Sequence, residues 1–327
     1  MRIFIAGGAG YVGSRLVPFL LERGHEVMVA DLLWFGNALP PSVPVLQRDV
    51  FSLTEADLRG FDAVMFLAGL SNDPMAEYSP AMNFISNSAM PTYLAYIAKR
   101  AGVRRYIYGG SCSVYGHIDG TTFATEETEP RSTYPYGISK LQGEFGVLRM
   151  QDHGFSVICL RKGTICGWSP RMRFDLLLNT MFMHAIKSEK LTVNNPDIWR
   201  PVLAISDAIH AYECALTAPQ SVSGIFNIHT ANMTVGETAQ RVCKYFKTYH
   251  GRTVDVFIKH IPDARNYRVS NGRAVRELTF QPRGSVEAIL ADMSARIGRD
   301  FNYDDDCLYN IKIFEKLLID KTKIGAL

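Results

Sequence analysis

The chain has 327 residues, 47% of them hydrophobic, and its 35 basic and 32 acidic side chains leave a formal net charge of only +3. This near balance argues against a nucleic-acid-binding protein, and the lack of an apolar run of about 18 residues argues against a membrane protein. Six scattered cysteines without metal-ligating spacing, and a start that lacks a signal peptide's apolar stretch, predict reduced thiols in a cytoplasmic protein with no metal site.

Short apolar runs alternate with longer helical patterns in the first half of the chain. The predicted strands are Arg2 to Ala6, Glu26 to Ala30, Ala63 to Leu67, Arg105 to Tyr108 and Ser156 to Leu160. The predicted helices are Tyr11 to Arg23, Pro80 to Ala101 and Tyr136 to Asp152. Such alternation predicts an α/β fold with a doubly wound parallel sheet over residues 1–162. The less regular residues 163–327 are predicted to form mainly a smaller substrate-binding lobe, with the chain free to cross back between the two.

Glycines follow the first predicted strand directly, in the run Gly7-Gly8-Ala9-Gly10-Tyr11-Val12-Gly13. A glycine loop between a strand and a helix brings free backbone N–H groups and the helix dipole close to a pyrophosphate. Asp31 ends the second strand, where a carboxylate can accept hydrogen bonds from a ribose diol. The four residues after Asp31 include no Arg or Lys to bind a 2′-phosphate. The sequence therefore predicts a dinucleotide site that prefers NAD to NADP.

Tyr136 and Lys140 lie four residues apart in a predicted helix, and so share one of its faces. A phenol has an ordinary pKa of about 10, and a neighbouring ammonium group favours its ionised form. With a nicotinamide cofactor on the glycine loop, Tyr136 would take a proton while the cofactor takes a hydride. The pair therefore predicts alcohol oxidation.

Taken together, these motifs resemble the extended short-chain dehydrogenase/reductase family, specifically its NAD-dependent nucleotide-sugar epimerases and dehydratases, which have a Rossmann-type fold. The resemblance implies a catalytic set made of Asn87, Ser111, Tyr136 and Lys140. It also implies cofactor contacts, which Tyr136 and Lys140 share, from Gly7, Gly10, Tyr11, Val12, Gly13, Asp31, Asp49, Val50, Leu67, Ala68 and Gly69. Phe66 and Gly69 depart from the family's His-Leu-Ala-Ala stretch.

The same resemblance implies that a nucleotide-diphosphate sugar binds in the later lobe, and that the protein is a homodimer formed through the helices at Pro80 to Ala101 and Tyr136 to Asp152. Residues 169–179 resemble the family's substrate-binding helix. Guanidinium groups suit a diphosphate because they offer paired donors and a fixed charge. The implied substrate contacts are Ser113, Thr164, Arg171, Arg173, Asn179, Arg200 and Arg265. Thr164 stands where sugar epimerases often have Asn.

Three functions remain open from the sequence. The first is an epimerase that oxidises the sugar at C4 and reduces the 4-keto intermediate again; the second is a net C4 dehydrogenase, for example on a heptose nucleotide. The third is a non-catalytic NAD-binding protein, which would not need both Tyr136 and Lys140. Sugar 4,6-dehydratases of the family carry an Asp-Glu pair where this chain has Cys112-Ser113, so that reaction is disfavoured.

Overall fold

The computed structural model describes residues 1–118, 122–262 and 265–324, so the last three residues of the predicted lobe lie outside it. The strands are β1 (Arg2–Ala6), β2 (Glu26–Ala30), β3 (Val45–Leu46), β4 (Ala63–Phe66), β5 (Arg105–Tyr108), β6 (Ser156–Lys162), β7 (Thr164–Cys166), β8 (Lys190–Asn194), β9 (Trp199–Ala204), β10 (Gly224–Ile228), β11 (Ala231–Thr234) and β12 (Asp255–Lys259). The α-helices are α1 (Gly13–Glu22), α2 (Glu55–Leu58), α3 (Asp73–Tyr78), α4 (Pro80–Phe84), α5 (Met90–Arg100), α6 (Pro135–Leu148), α7 (Leu177–Lys187), α8 (Ile205–Thr217), α9 (Val235–His250), α10 (Gly272–Glu277), α11 (Val286–Ser294) and α12 (Asn310–Ile324).

Seven parallel strands form the central sheet, in the spatial order β10-β6-β5-β4-β1-β2-β3. Alternate residues of β1 enter different cores, because side chains of a strand point to opposite faces. Ile3 and Ile5 pack in the core that contains α1 and α8, whereas Phe4 and Ala6 pack in the core that contains α5. Helices therefore cover both faces, and the predicted α/β doubly wound fold is confirmed.

The strand order reverses between β1 and β4, which are neighbours in the sheet although β2 and β3 come between them in the chain. At such a switch point the loops that follow the two strands diverge and leave a crevice at the carboxyl edge of the sheet. The loop after β1 carries the glycines, and the loop after β4 begins at Leu67. The fold thus places these two predicted cofactor segments, the glycine loop and the loop that begins at Leu67, at one crevice.

The helix predicted over Pro80 to Ala101 is interrupted. Ile85–Ala89 form a π-helical segment between α4 and α5. A π-helical turn accommodates an extra residue that the periodicity of an α-helix does not reveal, and such turns often occur at functional sites. The helix implied by resemblance over residues 169–179 begins only at Leu177, so most of that segment is irregular.

The later residues build two small sheets, of order β11-β9-β7 and β12-β8. Strand β10 lies beyond residue 162 and pairs with β6 in the central sheet. The division of the chain at residue 162 stays a prediction. At its end the chain returns to the first half, where Phe314 of α12 is buried with Leu70 and Met75 and packs against Trp34.

Candidate active site

A cavity of about 1030 Å³ lies at the carboxyl edge of the central sheet. All residues predicted to contact the cofactor or the substrate line this cavity, except Asn179. Of the four predicted catalytic residues, three line it and Asn87 does not. The fold therefore brings together segments that are far apart in the sequence.

The glycine loop lies against the loop after β4. A Cβ atom at Gly7, whose φ is +81°, would come within 2.4 Å of Ala68 N, so only glycine fits there. A Cβ at Gly13 would lie 2.2 Å from Gly8 O, whereas one at Gly10 would meet only Gly7 O at 3.3 Å and otherwise face the cavity. No side chain caps the start of α1. A helix terminus that is uncapped and open to the cavity fits the pyrophosphate of a dinucleotide.

Asp31 lies beside this loop and accepts hydrogen bonds from Ala9 N and Leu33 N, both at 2.9 Å. Burial raises the pKa of its carboxyl group, while these backbone bonds oppose the rise. Asp49 accepts from Phe51 N at 2.8 Å and so begins the turn that places Val50 in the cavity wall. The loop, Asp31 and this turn together fit the two ends of the adenosine diphosphate half of NAD.

Tyr136 stands in the first turn of α6, which begins at Pro135. Burial raises the pKa of Tyr136 to about 12, and a hydrogen bond with Ser111 opposes the rise. Asp73 raises this pKa further, and Arg173 lowers it. The sequence analysis did not predict that Asp73 and Arg173 would influence the pKa of Tyr136.

Lys140 follows one turn later and is buried. Its Nζ donates to Gly109 O at 3.2 Å and lies 5.2 Å from the centre of the Tyr108 ring. Burial lowers the pKa of Lys140 to about 7, and the charge of Lys162 lowers it as well. The site therefore holds Lys140 close to the boundary between its charged and neutral forms.

Lys162 is a cavity residue that the sequence analysis missed. It ends β6, and its Nζ donates to Tyr212 Oη at 2.9 Å. Burial lowers its pKa to about 8. The signal in the sequence was a basic residue just after a predicted strand, because parallel strands end at the edge of the sheet where the cavity lies.

Asn87 occupies the π-helical segment behind the cavity wall. Its Nδ2 donates to Leu70 O and Asn83 Oδ1, both at 2.8 Å, and to Ser139 Oγ at 3.2 Å. Its Oδ1 has no hydrogen-bond partner among the described residues. A Cβ at Gly69, whose φ is +113°, would lie 2.3 Å from this oxygen, which explains the departure from the family's Ala there. The catalytic role of Asn87 stays a prediction.

A buried ion pair fixes α6 to the sheet. Arg161 on β6 donates to Glu144 through Nε at 2.8 Å and Nη2 at 2.6 Å, and its Nη1 donates to Tyr115 Oη at 2.8 Å. Both charged side chains are almost completely buried, with 2% and 3% exposed. Glu144 lies one turn after Lys140, so the pair holds the helix that carries Tyr136.

Arg173 and Arg265 meet the loop after β4. Arg173 donates to Asp175 at 2.8 and 3.0 Å and to Ser71 Oγ at 3.0 Å. Arg265 pairs with Asp73. These contacts join segments that are 102 and 192 residues apart in the sequence around one cavity.

The other predicted substrate residues differ in their environments. Ser113 Oγ lies 3.4 Å from Tyr267 Oη, and Arg200 donates to Trp199 O at 3.0 Å and to the backbone carbonyl of Arg265. Thr164 lines the cavity at the start of β7. Asn179 instead lies behind the glycine loop. Its Oδ1 accepts a hydrogen bond from Gly167 N, and its Nδ2 donates to Tyr11 Oη and Arg173 O.

Arg171 lines the same cavity as Ser111. Its guanidinium covers the ring of Phe35 at 3.8 Å, and its Nη2 donates to Asn310 Oδ1. Asp31 contributes a favourable charge interaction to it. Cys112, by contrast, is fully buried with its Sγ donating to Arg161 O at 3.0 Å, and burial raises the pKa of its thiol.

No helix in the described ranges is long and apolar enough to cross a membrane. Across the same residues, no group of three or more His, Cys, Asp or Glu side chains could hold a metal ion. All six cysteines are free.

Comparisons with known proteins agree with this architecture. Residues 3–228 match the family model described as the NAD dependent epimerase/dehydratase family. The chain is 26% identical to a UDP-glucose 4-epimerase of Neisseria meningitidis serogroup C, covering 93% of this chain and 99% of that protein. The structure of Thermotoga maritima UDP-glucose 4-epimerase with UDP-glucose has a TM-score of 0.79 at 21% identity, covering 97% of this chain and all of that one. The NDP-hexosamine 5,6-dehydratase TunA has the same TM-score at 22% identity, covering 91% and 99%.

Proposed function

The chain belongs to the NAD dependent epimerase/dehydratase family, and we propose that within this family it is a nucleotide-sugar 4-epimerase acting through a 4-keto intermediate. Membership confirms that the protein is an NAD-dependent enzyme. The observation that carries the proposal is the cavity that Tyr136, hydrogen-bonded to Ser111, shares with Lys140 and Asp31.

In this proposal Tyr136 Oη removes the proton of the sugar C4 hydroxyl, and the Ser111 hydroxyl holds the same oxygen in place. NAD, held by the glycine loop and Asp31, would supply the hydride acceptor and donor for C4. Because burial holds the pKa of Tyr136 at about 12, the phenol needs positive charge nearby to work as a base at neutral pH. Arg173 already contributes to this value, and the protonated form of Lys140, one helical turn after Tyr136, supplies the further positive charge. Tyr136 then returns the proton to the oxygen when the keto sugar is reduced.

The diphosphate of the substrate has cationic partners in the same cavity. Arg200 and Arg265 line it and are tied together by the bond from Arg200 to the backbone carbonyl of Arg265. Arg173 is already paired bidentately with Asp175, so it suits a fixed positive charge better than a diphosphate ligand. Ser113 and Thr164 are proposed contacts of the sugar. The Neisseria relative matched over nearly its whole length is named for UDP-glucose, which makes UDP-sugars the first substrates to test.

The test is incubation of the purified protein with UDP-, dTDP-, GDP- and CDP-sugars, with product analysis and reduced-nicotinamide absorbance followed together. An epimerised sugar without NADH accumulation supports the proposal. NADH rising with a 4-keto product would instead support a C4 dehydrogenase. Tyr136→Phe should reduce turnover by about 10²- to 10⁴-fold while NAD still binds. The control Tyr249→Phe alters an exposed tyrosine far from the chemistry and should behave as the parent protein.

We also propose that the protein is a homodimer. Exposed apolar side chains on the π-helical segment, α5 and α6, namely Ile85, Tyr96 and Phe145, support this contact, because such groups on neighbouring helices can pack against a second copy. Light scattering during gel filtration should give twice the chain mass, and Phe145→Glu should give a monomer. A dimer that persists in Phe145→Glu would contradict this contact.

A further inference from the structure

The end of the chain forms part of the wall of the cofactor cleft. Asn310 and Ile311 of α12 line the cavity, and Phe314 packs against Trp34 and Tyr78 with ring centres 6.0 and 6.1 Å apart. Trp34 belongs to the loop after Asp31, and Tyr78 ends α3. Helix α12 therefore bridges the two sides of the crevice at its cofactor end.

Asn310 also holds a charged group in this wall. Its Oδ1 accepts from Arg171 Nη2, and its Nδ2 donates to Ser71 Oγ at 2.8 Å. The ring of Phe35 supports the other side of the Arg171 guanidinium. Arg171 is thus clamped between the loop after β2 and the C-terminal helix, with only 6% of its surface exposed.

The clamped guanidinium has donors with no acceptor. Nε and Nη1 of Arg171 are buried without a hydrogen-bond partner, and no carboxylate among the described residues forms an ion pair with it. A buried charge with unmet donors is costly unless an anion completes the site. Burial, reinforced by the charge of Arg173, lowers the pKa of Arg171 to about 9, which reflects the same lack of compensation.

The position of Arg171 indicates which anion it meets. Two residues earlier in the chain, Ser169 Oγ donates to Tyr11 O at 2.7 Å and so anchors this segment to the glycine loop. Asp31, the predicted ribose partner, is near enough to contribute to the pKa of Arg171. The anion expected between a glycine loop and a ribose-binding carboxylate is the diphosphate of the dinucleotide.

We propose that Arg171 binds the diphosphate of NAD, and that Asn310 and α12 hold its guanidinium there so that the cofactor stays bound through turnover. This assignment differs from the substrate role that sequence resemblance implied for Arg171. It rests on the NAD dependence of the family and is independent of which sugar the enzyme uses.

The test measures cofactor binding without any sugar, by calorimetry with NAD, ADP-ribose and adenosine. Arg171→Met should weaken NAD and ADP-ribose by about 10- to 100-fold, as expected for loss of charge-assisted hydrogen bonds, and leave adenosine within about threefold. The matched control Arg296→Met removes an arginine that stacks on Trp168 at the surface, and it should bind all three ligands as the parent protein does.

Three results would overturn the proposal. These are unchanged NAD affinity in Arg171→Met, an equal loss for adenosine and ADP-ribose, or loss of UDP affinity while NAD binding is intact. None of them depends on turnover, so failure of the epimerase proposal would be seen separately. The melting temperature of the cofactor-free Arg171→Met protein should not fall, because the variant removes an uncompensated charge.

A second measurement tests the role of α12. NADH bound to the protein is released by dilution into excess NAD, and the loss of energy transfer from tryptophan to NADH reports its release. Asn310→Ala and Phe314→Ala should each release NADH at least about tenfold faster than the parent protein. Release at the parent rate in both variants would show that α12 does not retain the cofactor.

Discussion

Replacing Glu144 by Gln should strongly destabilise the protein. The substitution keeps the size of the side chain but removes the charge that faces Arg161 across two hydrogen bonds of 2.8 and 2.6 Å. With only 2% and 3% of the two side chains exposed, water cannot replace the lost partner. Breaking one side of such a buried pair costs about 3–5 kcal/mol. That is a large share of the roughly 5–15 kcal/mol by which a typical protein is stable.

The assay is urea denaturation of the cofactor-free proteins, followed by circular dichroism. The matched control is Glu287→Gln, which removes the same charge from a half-exposed pair with Arg241 at 3.2 Å and should cost about 1 kcal/mol or less. Exchanging both Glu144 and Arg161 for Met should recover much of the loss, since no buried charge then remains unpaired. A cost for Glu144→Gln no larger than that of Glu287→Gln would refute the reasoning that this pair fixes α6 to the sheet.

Two further substitutions test the electrostatics and the backbone of the site. Because the pKa of Lys140 falls from its ordinary value of about 10.5 to about 7 on folding, the unfolded chain binds more protons between these pH values, and stability should rise with pH across that window. Lys140→Met should therefore be more stable than the parent near pH 7, by up to about 4 kcal/mol, with the gap closing towards pH 10 in urea titrations; a gap independent of pH would contradict this. Gly69→Ala should lower the melting temperature more than Gly24→Ala, because both residues have positive φ but only the Cβ at Gly69 would also collide with Asn87 Oδ1. Equal effects of the two glycine substitutions would contradict this, because the loop after β4 would then shift at no cost to accommodate the added Cβ.

Features encoded by neighbouring residues could be predicted from the sequence. The glycine loop follows a strand and opens a helix, and Tyr136 and Lys140 are one helical turn apart, so each pattern is complete within a short segment. Strands β1, β2 and β5 have the predicted bounds because their apolar runs end at polar residues or glycines. The cavity unites these segments because parallel strands all end at the same edge of the sheet.

Contacts between distant residues could not be predicted in the same way. Arg173 and Asp73 both act on the pKa of Tyr136, yet no periodicity relates the three positions. The bond from Arg171 to Asn310 joins residues 139 apart in the chain. Such pairs are specified by how the loops cross the crevice, which a single sequence does not encode as a local pattern.

The return of strand β10 to the central sheet has a consequence for how the protein is made. Its partner β6 is synthesised before residues 163–223 are added, which takes several seconds at about 5–20 residues per second. Until then the edge of the sheet at β6 stays unpaired. A chaperone or another chain can reach this edge and the side chains that Phe226 of β10 later covers. Because α12 follows β10 in the chain, the cofactor can be enclosed only after α12 has also been made. A chain that stops between β10 and α12 would therefore fold its sheet and fail to keep its coenzyme.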